Sequence, residues 1–305
     1  MNRKTIRIIS YGGIGDILLS TPSYKALKQQ HPDCRIVVHC YRKKHKPVYL
    51  HNPYIDDVRT TSFLPNMVPF ILYRLKKLRY RLMDYGRLAP SLNCDKNATA
   101  IIAEMLETTL QDPKIQVFLS KQEDEQARQI MMAYKEPIIL HITSLTSKNQ
   151  EWLVENWNEL VQQMPGYTFI QVGLDQDEKV AGAVDLRGKT NFREAMALIK
   201  YAKSFAGVNS AFSHVTNAFD IPGVVLFGAS NPLIWGHSNN INIYKSFRCA
   251  PCVDLLLKSP CPYDKPCMTS ITVAEVKNAL LTQLNKATPA ALIASAGKRE
   301  TADAH

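Results

Sequence analysis

Apolar residues alternate with polar or basic ones over 5–10 and again over 35–40, and a stretch of helical period lies between the two runs. Alternation of period two over a few residues marks a strand, and recurrence at three and four marks a helix. The pattern predicts a strand over 5–10, a tight turn at Gly12-Gly13-Ile14-Gly15, a helix over 16–30 with Pro22 in its first turns, and a strand over 35–40. A short strand over 58–60, helices over 68–83 and 98–109, and a strand over 114–119 follow. The series then restarts: helix 122–134, strand 138–142, helix 153–164, strand 168–172, helix 193–202, strand 204–208, helix 213–219 and strand 224–227. The last helix, 272–284, opens on Thr272 with Glu275 three residues on, a capping box. Such alternation predicts an α/β fold of parallel sheets with helices on their faces. The restart predicts two similar domains facing across a cleft, 1–125 and 126–286, and 287–305 has the character of a mobile tail.

The sharpest local pattern is 207–232, GVNSAFSHVTNAFDIPGVVLFGASNP. A small-residue strand end meets Asn209-Ser210, and a helix begins there with Ala211 and His214 in its first turn. A second apolar strand ends in Gly228-Ala229-Ser230-Asn231-Pro232. A helix start leaves its first N–H groups unpaired and carries partial positive charge, so an anion is favoured there. Two strand ends side by side form the crevice in which α/β sheets bind ligands. The expected ligand is a phosphorylated small molecule.

Charge narrows the partners. The chain of 305 residues has a formal net charge of +10, concentrated in Tyr41 to Lys46 and in a basic, aromatic segment over 69–88. Such a segment suits an anionic membrane surface or a phosphorylated acceptor. No nucleic-acid motif accompanies it, so nucleic acid is not expected as a partner. No apolar run approaches the roughly 20 residues of a membrane span, and no signal-peptide core is present. The expected location is the cytoplasm, with peripheral contact to the inner face of the membrane.

The candidate chemistry sits at the turns. Gly13-Ile14-Gly15 begins like a dinucleotide fingerprint, but Leu18 stands where the third glycine belongs and no acidic residue ends the second strand. What is left is a glycine turn open to close approach, with Asp16 at a helix start, where it is either a cap or a working carboxylate. An aspartate in that position is expected to have a lowered pKa. Lys148, in the polar loop after strand 138–142, can reach a phosphate or stay a surface lysine. His214 can donate to phosphate or simply pack, and Ser210 can be an N-cap. Cys249, Cys252, Cys261 and Cys267 have the residue type of a closed, structural zinc or iron site, while an odd total of seven cysteines argues against a disulfide framework.

Taken in order, these motifs resemble a family. Gly13-Ile14-Gly15-Asp16-Ile17 with Thr21-Pro22, then Asn52-Pro53-Tyr54-Ile55-Asp56-Asp57-Val58, are similar to the opening of the ADP-heptose heptosyltransferases of lipopolysaccharide synthesis, glycosyltransferase family nine. Leu186-Arg187-Gly188-Lys189-Thr190, Gly207 to His214, Phe227 to Pro232 with Trp235, and Cys267-Met268-Thr269-Ser270-Ile271 follow in that family's order, so the resemblance covers about residues 5–285. It implies a GT-B fold of two Rossmann-like domains, acceptor in front and nucleotide sugar behind. It implies inversion at the anomeric carbon, an ADP-heptose-like donor, a glycan or glycolipid acceptor, and no metal or other cofactor for transfer. Asp16 matches the family's general base, above the turn of Gly13 and Gly15. Lys148 looks like its pyrophosphate-side lysine, Asp177 or Glu178 its ribose-side acid, and Ser210, Ala211 and His214 its phosphate-binding helix start. The chain departs from the pattern with Asn209-Ser210-Ala211 in place of Asp-Ser-Gly or Asp-Thr-Gly, and with Asn231 where Asp is frequent. These departures bear on donor and acceptor more than on reaction type. They keep open a protein or small-metabolite acceptor, and a non-catalytic sugar-nucleotide scaffold.

Overall fold

The computed structural model describes residues 4–40, 42–60, 80–83, 95–252 and 260–286. The basic segment 69–88 lies outside the described residues except for 80–83, and the tail 287–305 lies outside them too.

Two parallel sheets organise the chain. The front sheet has the order β3-β2-β1-β4, from β1 (Thr5–Ser10), β2 (Arg35–Cys40), β3 (Asp57–Thr60) and β4 (Tyr80–Met83). The rear sheet has the order β10-β9-β8-β5-β6-β7, from β5 (Pro137–His141), β6 (Thr168–Gln171), β7 (Val184–Asp185), β8 (Ser204–Val208), β9 (Gly223–Phe227) and β10 (Asn240–Tyr244). Every strand pair within them is parallel. The strands β8 and β9 are buried along their whole length, as strands covered by helices on both faces must be.

The first helix, α1 (Ile14–Gln30), carries Pro22 without breaking. Proline removes the amide that would bond Leu18 C=O, and the Thr21 hydroxyl donates to that carbonyl instead, at 2.7 Å. Helix α2 (Ala98–Met105) is capped by Asn97, α3 (Lys121–Met132) by Ser120 in a box with Glu123, and α5 (Phe192–Lys200) by Asn191 in a box with Glu194. Between α3 and α5, α4 (Val154–Gln162) buries Trp157 and Leu160. Helix α6 (Ala211–Ala218) follows β8, the single turn α7 (Pro232–Trp235) follows β9, and α8 (Pro266–Thr269) precedes α9 (Val273–Lys286). The capping box of Thr272 and Glu275 forms as expected.

Two expectations fail. Residues 80–83, read as the end of a helix, form the edge strand β4 against β1. Residues 114–119, read as a strand from the alternation of Ile115, Val117 and Leu119, join no sheet. Side chains satisfy that backbone: Ile115 N–H donates to Asn217 Oδ1 and Gln116 N–H to Thr21 Oγ1, each at 2.9 Å. The segment runs between the two sheets, where alternation buries one face without a ladder. One apolar cluster is continuous across that junction, from Ile8, Ile17 and Leu18 in front to Phe205, Phe212 and Val215 behind. A second, of Ile138, Trp157, Val224 and Leu280, fills the far face of the rear sheet.

Candidate functional site

The front half of the site is the turn between β1 and α1. Gly12 has φ of +126°, and a Cβ there would stand 2.8 Å from Asp16 Oδ2, so the turn admits only glycine while the carboxylate is folded over it. Asp16 Oδ2 accepts the Gly13 N–H at 2.7 Å. Asp16 is buried, and burial pushes its pKa up to about 7 against the lowering effect of the Gly13 and Asp16 backbone amides. This corrects the expectation of a lowered value. The positive end of α1 acts as expected, but loss of hydration outweighs it.

The rear half is the start of α6. Ser210 turns its hydroxyl to His141 Nδ1, 3.1 Å away, and its own N–H donates to Ser213 Oγ at 3.2 Å. The Ser213 N–H donates to the Ser210 carbonyl at 3.1 Å, so the amides left without an intrahelical acceptor are those of Ala211 and Phe212. His214, in the first turn of α6, lies against the front lobe: a Cβ on Gly15 would be 3.3 Å from His214 Cδ2 and 3.4 Å from Nε2. His214 Nδ1 is 2.9 Å from His237 Nε2. Thus Gly15 of the front turn and His214 of the rear helix, about two hundred positions apart in the chain, come together where α1 packs on α6; Gly13 and Asp16 lie on the same front turn, and Ser210 and Ala211 at the same rear helix start.

The other expected residues are less uniform. Asn209 Nδ2 donates to Ser230 Oγ at 2.8 Å, and that hydroxyl donates to Gln150 Oε1 at 2.7 Å. An amide suits this chain, since Asn209 supplies the proton that leaves Ser230 free to serve Gln150. Asn209 Oδ1 is buried without a partner. Lys148 starts a single 3-10 turn, Lys148–Gln150, whose last residue is the buried Gln150. Its own side chain is 82% exposed and pairs with Glu151 at 3.3 Å. Asp177 Oδ2 accepts the Leu174 N–H at 2.7 Å and the Thr143 hydroxyl at 3.0 Å, folded over Gly173. Glu178 is exposed, with its carbonyl accepting from Gln171 Nε2 at 2.7 Å. Asn231 caps α7 by accepting the Leu233 N–H at 2.9 Å.

Reading the sequence missed two histidines and a glutamine. His141 ends β5 beside Ser210 and stacks edge-on to Phe212, and burial lowers its pKa to about 4. His237 follows α7, and Gln150 joins the loop of Lys148 to the ends of β8 and β9. Each is a single polar residue in an unremarkable local pattern, and only the strand order brings it to the site.

The expected four-thiol shell is not assembled. Cys267 is buried, and Cys249, Cys252 and Cys261 are near enough to help push its thiol up to about 11, after burial as the larger cause. Yet among the described residues no group of three or more His, Cys, Asp or Glu is placed to hold a metal ion. Nor is any described helix long and apolar enough to cross a membrane.

Comparison with known proteins places this geometry. The family model described as Glycosyltransferase family 9 (heptosyltransferase) matches residues 93–259, more than half of the chain. Lipopolysaccharide heptosyltransferase 1 of Salmonella typhimurium is 27% identical over 120 residues, which is 35% of this chain and 38% of that protein. The match thus spans little more than a third of that relative's length. Among solved structures, ADP-heptose lps heptosyltransferase II of E. coli superposes with a TM-score of 0.69 at 16% identity, over 93% of this chain and 99% of that one. The iron-containing dodecameric glycosyltransferase TibC of enterotoxigenic E. coli H10407 gives a TM-score of 0.68 at 17% identity, over 94% and 77%. Two parallel α/β sheets facing one another in this way are the GT-B fold. From that fold, and from a family model covering most of the rear half, the chain belongs to glycosyltransferase family 9.

Proposed function

We propose that the protein is an inverting glycosyltransferase that moves a heptose from an ADP-heptose-like donor to a hydroxyl of a lipopolysaccharide-type glycan or glycolipid. The observation that carries the reading is Asp16: a buried carboxylate with its pKa pushed up to about 7, on a glycine turn that abuts the helix start of the other lobe. A base poised near neutral pH combines the ionised form with a useful affinity for the proton. The acceptor oxygen attacks the anomeric carbon and gives its proton to Asp16 as the carbon–oxygen bond to the diphosphate breaks. The nucleoside diphosphate leaves on the opposite face. The first amides of α6 and His214 meet the charge developing on that leaving group. The exposed Lys148 exchanges Glu151 for the pyrophosphate when donor is present, and the free Oδ1 side of Asp177, with Glu178 beside it, is offered to the ribose.

The reading needs no metal for transfer. Cys249, Cys252, Cys261 and Cys267 supply donor types for a structural zinc or iron, but their positions do not form a shell, and no step is assigned to it. Metal analysis of protein purified without chelator tests that site, and less than a stoichiometric amount removes it. The lobes divide, in this reading, within 113–119, slightly ahead of the 125/126 division expected from the sequence, because α3 packs on α5 of the rear lobe through Arg193–Glu123 and Lys200–Asp124. The exposed Arg42, Lys43 and Lys44 suit an acidic acceptor or an anionic inner membrane face.

The deciding experiment offers purified protein ADP-heptose and a panel of other nucleotide sugars, with a heptose-deficient lipopolysaccharide acceptor. Transfer, ADP release and anomeric configuration are measured. Transfer from ADP-heptose with inversion, lost in Asp16→Ala, is expected. Full turnover in Asp16→Ala removes the base. Donor binding without transfer or hydrolysis identifies a sugar-nucleotide scaffold instead.

A further inference from the structure

Two histidines lie side by side behind the glycine turn. His214 Nδ1 and His237 Nε2 are 2.9 Å apart, and their rings meet edge to face with centroids 5.1 Å apart at 86°. They are 4% and 8% exposed. Burial holds both imidazoles below their ordinary pKa, His237 at about 4 and His214 well down, with His237 adding to the effect. Both rings are therefore neutral near pH 7.

A neutral imidazole has a single N–H, so a contact between two ring nitrogens needs one to donate and the other to accept. This couples the tautomers. If His237 donates from Nε2, then His214 accepts at Nδ1 and keeps its own proton on Nε2. In the opposite arrangement His214 Nε2 is bare. That nitrogen is on the ring edge facing the front lobe, 3.4 Å from where a Gly15 side chain would start. Phosphoryl oxygens are acceptors only. Only the first arrangement lets His214 serve a diphosphate, since a bare nitrogen would repel it.

We propose that His237 is a positioning residue: its Nε2–H fixes Nδ1 of His214 as the acceptor and so keeps a proton on His214 Nε2, aimed at the diphosphate of a bound nucleotide. The inference rests on reading the start of α6 as the diphosphate site. The loop that carries His237 is built to hold the ring still. The His237 carbonyl accepts from Asn240 N at 3.2 Å and from Asn242 Nδ2 at 3.3 Å. The preceding carbonyl, of Gly236, accepts from Asn97 Nδ2 of the front lobe at 2.9 Å. The backbone at His237 is thus held from both lobes while its ring touches the Nδ1 edge of His214.

The test is nitrogen NMR of the full chain labelled at histidine, with His237→Leu and His237→Gln beside the unsubstituted protein. The Nε2–H tautomer of His214 is expected in the unsubstituted protein. In His237→Leu the Nδ1–H form should appear, and in His237→Gln, whose side-chain amide can donate from a similar reach, the Nε2–H form should return. ADP affinity by calorimetry should fall about tenfold in His237→Leu, the effect of one lost hydrogen bond to a charged group, and recover most of that in His237→Gln. An Nδ1–H His214 in the unsubstituted protein overturns the proposal, as does an unchanged tautomer in His237→Leu. If His237→Leu does not fold, the spectra of the other two decide alone. An Nε2–H His214 in a protein that binds no ADP counts against the diphosphate site. Normal ADP binding with an Nδ1–H His214 counts against His237.

Discussion

Asp16, the base in the proposed reaction, is held in the fold at a cost to stability. Its pKa is raised to about 7 by burial, so the folded state binds its proton more tightly than the unfolded chain does. Stability therefore falls as pH rises from about 4 to about 7, and is level above that. The full shift corresponds to up to about 4 kcal/mol. Asp16→Asn keeps an oxygen to accept the Gly13 N–H but has no charge to bury. Urea unfolding should find it no more stable than the parent at pH 4, and more stable by some part of that figure at pH 8. Transfer should fall about 10²–10⁴-fold, and the acid limb of the parent's rate profile should centre near 7. Equal stability of the two proteins at pH 8 would mean that Asp16 is hydrated and the raised value wrong. The motif around Asp16 was legible in the sequence, but the direction of its pKa was not. A helix start argues for a lowered value, and the burial that reverses it comes from packing that no local pattern records.

At the scale of elements, capping and apolar runs were legible where the chain obeys local rules. The strand over 204–208 and the capping box of Thr272–Glu275 carry their own signals, whereas the boxes of Ser120–Glu123 and Asn191–Glu194 emerged only in the structure. The strand β10 does not. Its sequence, NINIY, places asparagine where a loop is expected, and it is a strand because β9 lies beside it. Arg193 illustrates a tie between elements that is invisible in sequence. The residue is 6% exposed, and its guanidinium pairs with Glu123 of α3 and donates to the carbonyls of Pro47 and Phe118, each at 2.8 Å. The Arg193 side chain in turn holds the Glu123 carboxyl at about 2. Glu123→Gln leaves that guanidinium buried against carbonyls and an amide, and should destabilise by about 3 kcal/mol. Because the Glu123 pKa is lowered in the fold, the ion pair's contribution is present above the unfolded value and is lost as pH falls toward about 2. Denaturant melts at pH 7 and pH 3 should therefore show the gap between parent and Glu123→Gln narrowing in acid. Replacing both partners with apolar residues should restore much of the loss, and a double variant as unstable as the single one would refute the account.

The whole molecule sets a harder question, whether the two lobes are independent bodies. Their apolar interior argues that they are not. Helix α1 packs on α6, and one buried cluster runs from Ile8 and Leu18 through that contact to Phe205 and Val215. The segment over 113–119 adds side-chain bonds to both sides, from Thr21 in front and Asn217 behind. The Arg193 pair ties Pro47 of the front lobe to the rear helices. Opening these lobes would expose a core rather than a wet interface, so they should unfold together. The chain offers a direct check, since its tryptophans, Trp152, Trp157 and Trp235, are all in the rear lobe, whereas helices occur in both. Unfolding followed by tryptophan fluorescence and by far-ultraviolet circular dichroism should give coincident transitions. Leu18→Ala, a truncation of a fully buried side chain in the front lobe, should cost about 2–5 kcal/mol and move both curves together. If the fluorescence curve stays put while dichroism shifts, the front lobe melts alone. The contact of Gly15 with His214 would then owe its geometry to bound donor rather than to the fold.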